Sequence, residues 1–337
     1  MSGWTRSLLT CVALLAGAAC QDQSPEALLD DYLGRIRRVT SVETELAPVQ
    51  PLPPYPARRE LLIDIPRQTI NVIEFFELHG CDMGALVGFR NSPLGRVQSP
   101  SQRLGYETAW IEAARACDTD AAEWLPELGA VKREWLPSLF WNATFAAEEL
   151  RVALGGSAPA REEGLPTLLR ALADQLTKVE NGGFDADELE RLLGQLRQSS
   201  WVGPARRDWQ RWRRYLLAAA ATLDAATAKV CLNRRPTPYT DRLKNVFLKV
   251  YIGHIQPDLA VAMSEHEQWI VELGRLGERL DPVLPDAYRA WYRAVLAPEA
   301  PESEWQRTRA AVVRHARAWQ RLFTHCHVEP VSGLSQD

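Results

Sequence analysis

The sequence predicts an all-α protein, a multi-helix bundle built as one body or as two packed helical subdomains and stapled by disulfides. Three observations predict it. Apolar residues recur at helical spacing in one segment after another, as at Leu28, Leu29, Tyr32, Leu33 and Ile36, or Leu189, Leu192, Leu193 and Leu196. Most of the 22 prolines fall between such segments or at their first positions, where proline starts a helix. No series of hairpin dipeptides marks a sheet.

The chain opens on an export signal. Arg6 precedes the apolar residues Leu8, Leu9, Val12, Ala13, Leu14, Leu15 and Ala16, and Gly17, Ala18 and Ala19 lead to Cys20. A bilayer-spanning helix needs roughly 20 apolar residues, so this run reads as a cleaved signal. The small residues before Cys20 resemble a bacterial lipobox, with Gly17 where a larger aliphatic residue is more usual. Residues 1–19 are expected to leave, Cys11 with them, and the Cys20 thiol to carry a lipid. An ordinary secretory signal that ends near a cysteine is the alternative. Only Gln21, Asp22 and Gln23 separate Cys20 from the first helix, so the extended tether reaches about 14 Å. Gln21 is not the aspartate that favours inner-membrane retention, which makes the periplasmic side of the outer membrane the expected location.

Ser24, Pro25 and Glu26 are an N-cap, a first-turn proline and an acidic first-turn residue. Pro48, Pro51, Pro53, Pro54 and Pro56 fix φ and lack donors, so 48–56 reads as an extended, polyproline-like linker. Ile70, Ile73 and Phe76 make a short apolar helix that Gly80 can stop, and 81–89 makes another. Asn91 and Ser92 can then bond nearby backbone, Pro93 sets φ, and Gly95 permits a left-handed turn. Ser99-Pro100 caps a helix carrying Leu104, Thr108 and Ile111, with Tyr106, Trp110 and Cys117 on an adjoining stripe. Two or three helical pieces broken at Pro126 and Pro137 are expected across 121–154. Gly155, Gly156, Ser157, Pro159 and the charged 161–164 form the candidate boundary between an N-terminal region, 20–155, and a C-terminal bundle, 165–337.

The second half begins with an amphipathic helix at 165–179. Asp185 and Glu188 fit a capping box for the next. A long helix from about 204 to 231 places Trp209, Trp212, Leu216, Ala219 and Leu223 on one side and Arg207, Arg211 and Arg214 on the other. Residues 243–255 fit two periods. Val246, Leu248, Val250 and Ile252 alternate as a strand would, whereas Leu243, Phe247, Val250 and His254 share a helical face; helical neighbours favour helix. Further helices run from Pro257 towards Leu280, over 288–296, and from Ser303 to Cys326.

Of the six cysteines, removing Cys11 and lipidating Cys20 leaves Cys81, Cys117, Cys231 and Cys326, an even number for an oxidising compartment. Of the three pairings, Cys81 with Cys117 and Cys231 with Cys326 join the ends of segments that a bundle can bring together. Each would stabilise by about 2 to 4 kcal/mol. Four reduced, buried thiols are the alternative.

Leu78, His79, Gly80 and Cys81, then Arg90-Asn91-Ser92, Leu94-Gly95, Leu104, Tyr106 and Glu107, form a distinctive series. Together with Ile255-Gln256-Pro257 and Leu259-Ala260, it resembles a family of proteobacterial lipoproteins catalogued as a domain of unknown function, number 3080. The resemblance covers most of the mature chain and implies a signal peptide and a helical fold. It implies no activity.

The net charge of −4 argues against a nucleic-acid partner. No zinc helix, nucleophile elbow, haem motif or phosphate loop is present, so no metal and no cofactor is expected. His325-Cys326-His327 lacks the spaced pairs of a zinc site. The twelve tryptophans invite stacking on sugars, but the helical spacing of Trp209 and Trp212 favours burial. Arg207, Arg211 and Arg214 form a solvated face, with anionic lipid as the sharper alternative. Arg90, Asn91, Ser92 and Glu107 remain as candidates for a polar ligand or partner. A structural account of the same residues pairs Arg90 with Glu107. Two function classes follow: a lipid-anchored, non-catalytic binding module for an envelope protein or small polar ligand, or an envelope enzyme with Glu107, His79 or Asp82 as acid or base near Arg90.

Overall fold

The computed structural model describes residues 24–66, 68–78, 81, 83–117, 123–156, 164–198 and 200–329. Cys20 with its signal, His79, Gly80, Asp82 and the charged part of the central linker lie outside the described residues. Among those described, the chain is helical, with no strand beyond an isolated bridge between Leu232 and Arg235. No described helix is long and apolar enough to cross a membrane.

Helix α1 (Pro25–Thr40) is capped by Ser24 and buries Leu29, Tyr32, Leu33 and Ile36. Short helices α2 (Arg58–Leu61), α3 (Val72–Glu77), α4 (Met83–Asn91) and α5 (Pro93–Arg96) follow. A capping box of Ser99 and Gln102 starts α6 (Pro100–Ala116). Pro126 and Pro137 do not break the next segment. Pro126 sits in the first turn of α7 (Leu125–Thr144) and Pro137 lies inside it, where packing along α6 outweighs the lost backbone bond.

After α8 (Glu148–Gly155) come α9 (Leu165–Asn181) and α10 (Ala186–Arg197). The cap of α10 is Asp185 alone, accepting from the Asp187 N–H, because Glu188 turns away to Lys178 at 2.6 Å. The long α11 is Val202–Val230, and α12 (Pro238–Val246) passes into a π-helical segment, Phe247–Ile255, and then α13 (Gln256–Arg279). The 243–255 stretch is therefore helical. Its wider i→i+5 turn accounts for the ambiguity between the two periods, since Val250, Tyr251 and Ile255 are the residues it buries. A short 3₁₀ turn, Asp281–Val283, leads to α14 (Asp286–Val295), and Ser303 caps α15 (Glu304–His325).

The centre is the parallel pair α11 and α15. Their starts meet at Arg206 and Glu304, and their ends are joined by Cys231 and Cys326, with Cα atoms 5.4 Å apart. Helix α1 packs on α11 and α12, while α6 and α7 pair and lean on α10 and α9. The second disulfide, Cys81 to Cys117 with Cα atoms 5.3 Å apart, staples the start of α4 to the end of α6. Trp141, Trp209, Trp269, Trp305 and Trp319 are fully buried.

The first presumed linker and the described start of the second are packed. Residues 47–53 lie along α11 as a strap, its backbone carbonyls accepting from three donors spaced one turn apart. Arg214 Nε reaches Ala47 O at 2.5 Å, Gln210 Nε2 reaches Gln50 O at 2.6 Å, and Arg206 Nη1 reaches Pro53 O at 2.7 Å. An extended proline-rich chain makes no internal hydrogen bonds, so its carbonyls are free to accept. Gly155 and Gly156 sit where α8 meets α11. A Cβ on Gly203 would lie 2.0 Å from the Gly156 carbonyl oxygen, so the approach requires glycine.

Where α1, the π-helical segment and α15 meet, Trp319 Nε1 donates to Tyr32 Oη at 2.8 Å, and Tyr32 Oη lies 2.7 Å from His315 Nε2. The Tyr251 ring lies 4.5 Å from that of His315. Burial pushes the His315 imidazole down to about 3 and that of His266, which accepts from Trp209, down to about 4. Both are therefore held neutral. As pH falls below the ordinary value of about 6.5, the unfolded chain binds protons that the folded chain refuses, so stability drops. For His315 the expected loss is about 1.4 kcal/mol per pH unit below about 6. Urea midpoints between pH 7 and pH 5 check this: a steady fall is expected, smaller in His315→Gln, and a flat profile contradicts it.

Candidate functional site

The 90–95 turn is built from the end of α4 and the whole of α5. Ser92 caps α5 by accepting from the Gly95 N–H at 3.1 Å, and Asn91 is exposed at the end of α4. Gly95 is buried, and it does not take the left-handed conformation expected of it. Its φ is not positive; a Cβ there would lie 2.1 Å from the Phe89 carbonyl oxygen, so contact with α4 demands glycine.

Arg90 is half-buried and does not pair with Glu107. Its Nη1 donates to the Gly95 carbonyl and to Gln98 Oε1 at 3.1 Å, and the guanidinium lies 5.8 Å from the centre of the Tyr106 ring. Glu107 points the other way along α6. There Lys132 of α7 donates to its carboxylate at 2.5 Å, both side chains being buried, and the Lys132 ammonium lies 4.8 Å from the Trp110 ring. Adjacent positions on a helix point in different directions, so Tyr106 and Glu107 serve different surfaces. The four candidates thus split: Arg90, Asn91 and Ser92 stay near the surface, and Glu107 belongs to a buried ion pair. Lys132 gives no signal of its pairing in sequence, where it stands beside Arg133 and Glu134 on a mixed charged stretch.

The partners of Arg90, Gln98 and Tyr106, line a groove of about 630 Å³ whose other walls are Leu86, Phe89, Leu94, Val97 and Phe184. Burial pushes the Tyr106 phenol up to about 12, Glu107 adding to the shift and Arg90 opposing it, so the ring presents a neutral hydroxyl. The rim carries Gln98, Gln102 and Asp185. The arrangement offers an apolar trough with a few hydrogen-bonding groups at its rim. It offers no paired acid and nucleophile among the described residues.

Residues 29–330 match a family described as a protein of unknown function, DUF3080. The chain belongs to that family. No curated protein and no solved structure matches it.

In this DUF3080 chain the apolar exposure extends beyond the groove. Helix α3 presents Val72, Ile73 and Phe76 to solvent, although the chain around it is fastened: Trp124 Nε1 donates to Glu77 at 2.8 Å, Leu78 is buried, and the Cys81 disulfide follows. The short apolar helix was legible in sequence, but its exposure was not, because an apolar stripe reads the same whether a neighbour covers it or not.

The split between Arg90 and Glu107 is testable. Glu107→Ala and Lys132→Ala should each destabilise the protein by about 3 to 5 kcal/mol and couple strongly, since either leaves a buried charge alone. Arg90→Ala should cost about 1 kcal/mol, and its effect should add to that of Glu107→Ala. Coupling between Arg90 and Glu107 in urea unfolding would contradict the assignment.

Proposed function

We propose that this protein is a lipid-anchored binding module of the cell envelope, held at Cys20 on the periplasmic side of the outer membrane, which docks a protein partner on the apolar face of residues 72–97. One observation supports the docking face above others. Val72, Ile73, Phe76, Leu94 and Val97 are each 70 to 76% exposed on a segment that a disulfide, a tryptophan hydrogen bond and two capped helices hold in shape. Large apolar side chains left exposed on short capped helices mark an interaction surface. The residues offered as a catalytic pair are otherwise engaged, Glu107 by Lys132 and Arg90 by Gly95 and Gln98, which favours binding over catalysis.

The anchor rests on the sequence before Ser24. Cys20→Ser should leave the protein unprocessed or release it from the membrane fraction, and unchanged processing and partition would contradict the anchor. The docking face is tested in the lipidated protein with a photo-crosslinking residue placed at Leu94. One discrete protein adduct is expected, lost in Phe76→Glu and Val97→Glu variants that keep the wild-type melting temperature. Absence of a protein adduct, or an adduct that both variants retain, would overturn it.

A further inference from the structure

A second cavity lies between the end of α13 and α14, bordered by the 299–302 loop, with a volume of about 640 Å³. Its size falls within the range of small-molecule pockets. It is lined by Gly274, Gly277, Tyr288 and Tyr292 with charged groups around them. Arg289 is spent on the turn beneath it, through Asp281 Oδ1 at 2.5 Å and the Asp281 and Leu284 carbonyls. Arg293 is spent on Glu302, Nε to Oε1 at 3.3 Å. Two carboxylates on the lining, Glu278 and Glu299, have no such partner among the described residues. The cleft therefore carries an excess of negative charge.

Three further features point to an occupant. Tyr288 is 1% exposed and its hydroxyl has no hydrogen-bond partner, an expense that buried polar groups seldom bear. The rings of Tyr288 and Tyr292 lie stacked, 6.1 Å between centres, so the buried Tyr288 backs the half-buried Tyr292, whose ring borders the cleft. Glycine weakens a helix relative to alanine, yet α13 places two of them one turn apart on this cleft. A Cβ on Gly274 would stand 2.9 Å from Tyr292 Oη, whereas one on Gly277 would meet nothing within 4 Å and would project into open space. Gly274 has a packing reason. Gly277 has none, and its effect is to keep the floor of the cleft open.

We infer that this cleft binds a small organic cation, an ammonium or guanidinium group on an aliphatic stem, with the charge taken by Glu278 and Glu299 and the stem laid against Tyr292. Carboxylates supply the charge-assisted acceptors, and tyrosine faces attract a cation and bury hydrocarbon. A free anion would meet the uncompensated carboxylates and find both arginines engaged. The inference is independent of the apolar face at residues 72–97, which lies on other helices.

Calorimetric titration of the purified full-length protein in detergent tests it, with agmatine and putrescine as probes and uncharged 1,4-butanediol as the matched control. One saturable site for at least one amine is expected, weakened by salt and absent for the diol. Glu278→Gln combined with Glu299→Gln should weaken binding at least about tenfold, the loss that goes with a charge-assisted contact. Gly277→Leu should abolish binding while the melting temperature holds or rises, which separates filling of the cleft from damage to the fold. No saturable heat with either amine at millimolar concentration would overturn the inference. So would equal binding of the diol, or amine binding unaffected by both sets of substitutions.

Discussion

The buried ion pair of Arg206 and Glu304 sets the frame of this protein. Arg206 Nε and Nη2 donate to the two carboxylate oxygens of Glu304 at 2.8 and 2.7 Å, and its Nη1 donates to Pro53 O. Three segments far apart in sequence meet there: the strap, the start of α11 and the start of α15. Two helices running parallel align their dipoles unfavourably, and a carboxylate at the first turn of α15 offsets part of that. The disulfide between Cys231 and Cys326 holds the other end of the pair. Between these clamps Trp209, Trp305 and Trp319 pack with α13, the π-helical segment and α1, so the largest apolar surfaces are buried only once the clamps align the helices.

The same frame places both proposed surfaces. Strapping residues 47–53 to α11 fixes where the chain re-enters at α2, and Trp141 Nε1 donating to Leu61 O ties that point to α7. From there α4 packs on α6 and carries α5, and the Cys81 disulfide staples the start of α4 to the end of α6, with apolar side chains of α3 and α5 left outward. Elsewhere Ser303 caps α15, and the loop before it borders the α13–α14 cleft. The apolar face and the acidic cleft thus differ in chemistry and in the helices that carry them. They suit two different occupants.

Much of the helical fold was legible because it is written locally. Ser24, Ser99 and Ser303 cap helices where the sequence places them, and both disulfides join segment ends. The features that shape the sites are not local. Arg206 looks no different from Arg207, Arg211 or Arg214 in sequence; only the approach of α15 decides which arginine is buried. Glu107 drew notice through its neighbours in the family series, but Lys132, its partner, lies on another helix. Pro137 passed for a break because its cost is visible in sequence and the α6 packing that offsets it is not. Gly155 and Gly156 passed for a linker because the same residue serves flexibility and close contact. The one local hint that went unread was a pair of glycines, Gly274 and Gly277, within an otherwise helical run.

The dependence of the fold on Arg206 and Glu304 is measured most directly by urea unfolding of Arg206→Met, Glu304→Leu and the double variant. Each single change strands a buried charge and should cost about 3 to 5 kcal/mol, whereas the double change removes both charges and should recover most of that loss. Single variants within about 1 kcal/mol of wild type, the range of a surface pair, would contradict the account, as would a double variant whose loss is the sum of the two.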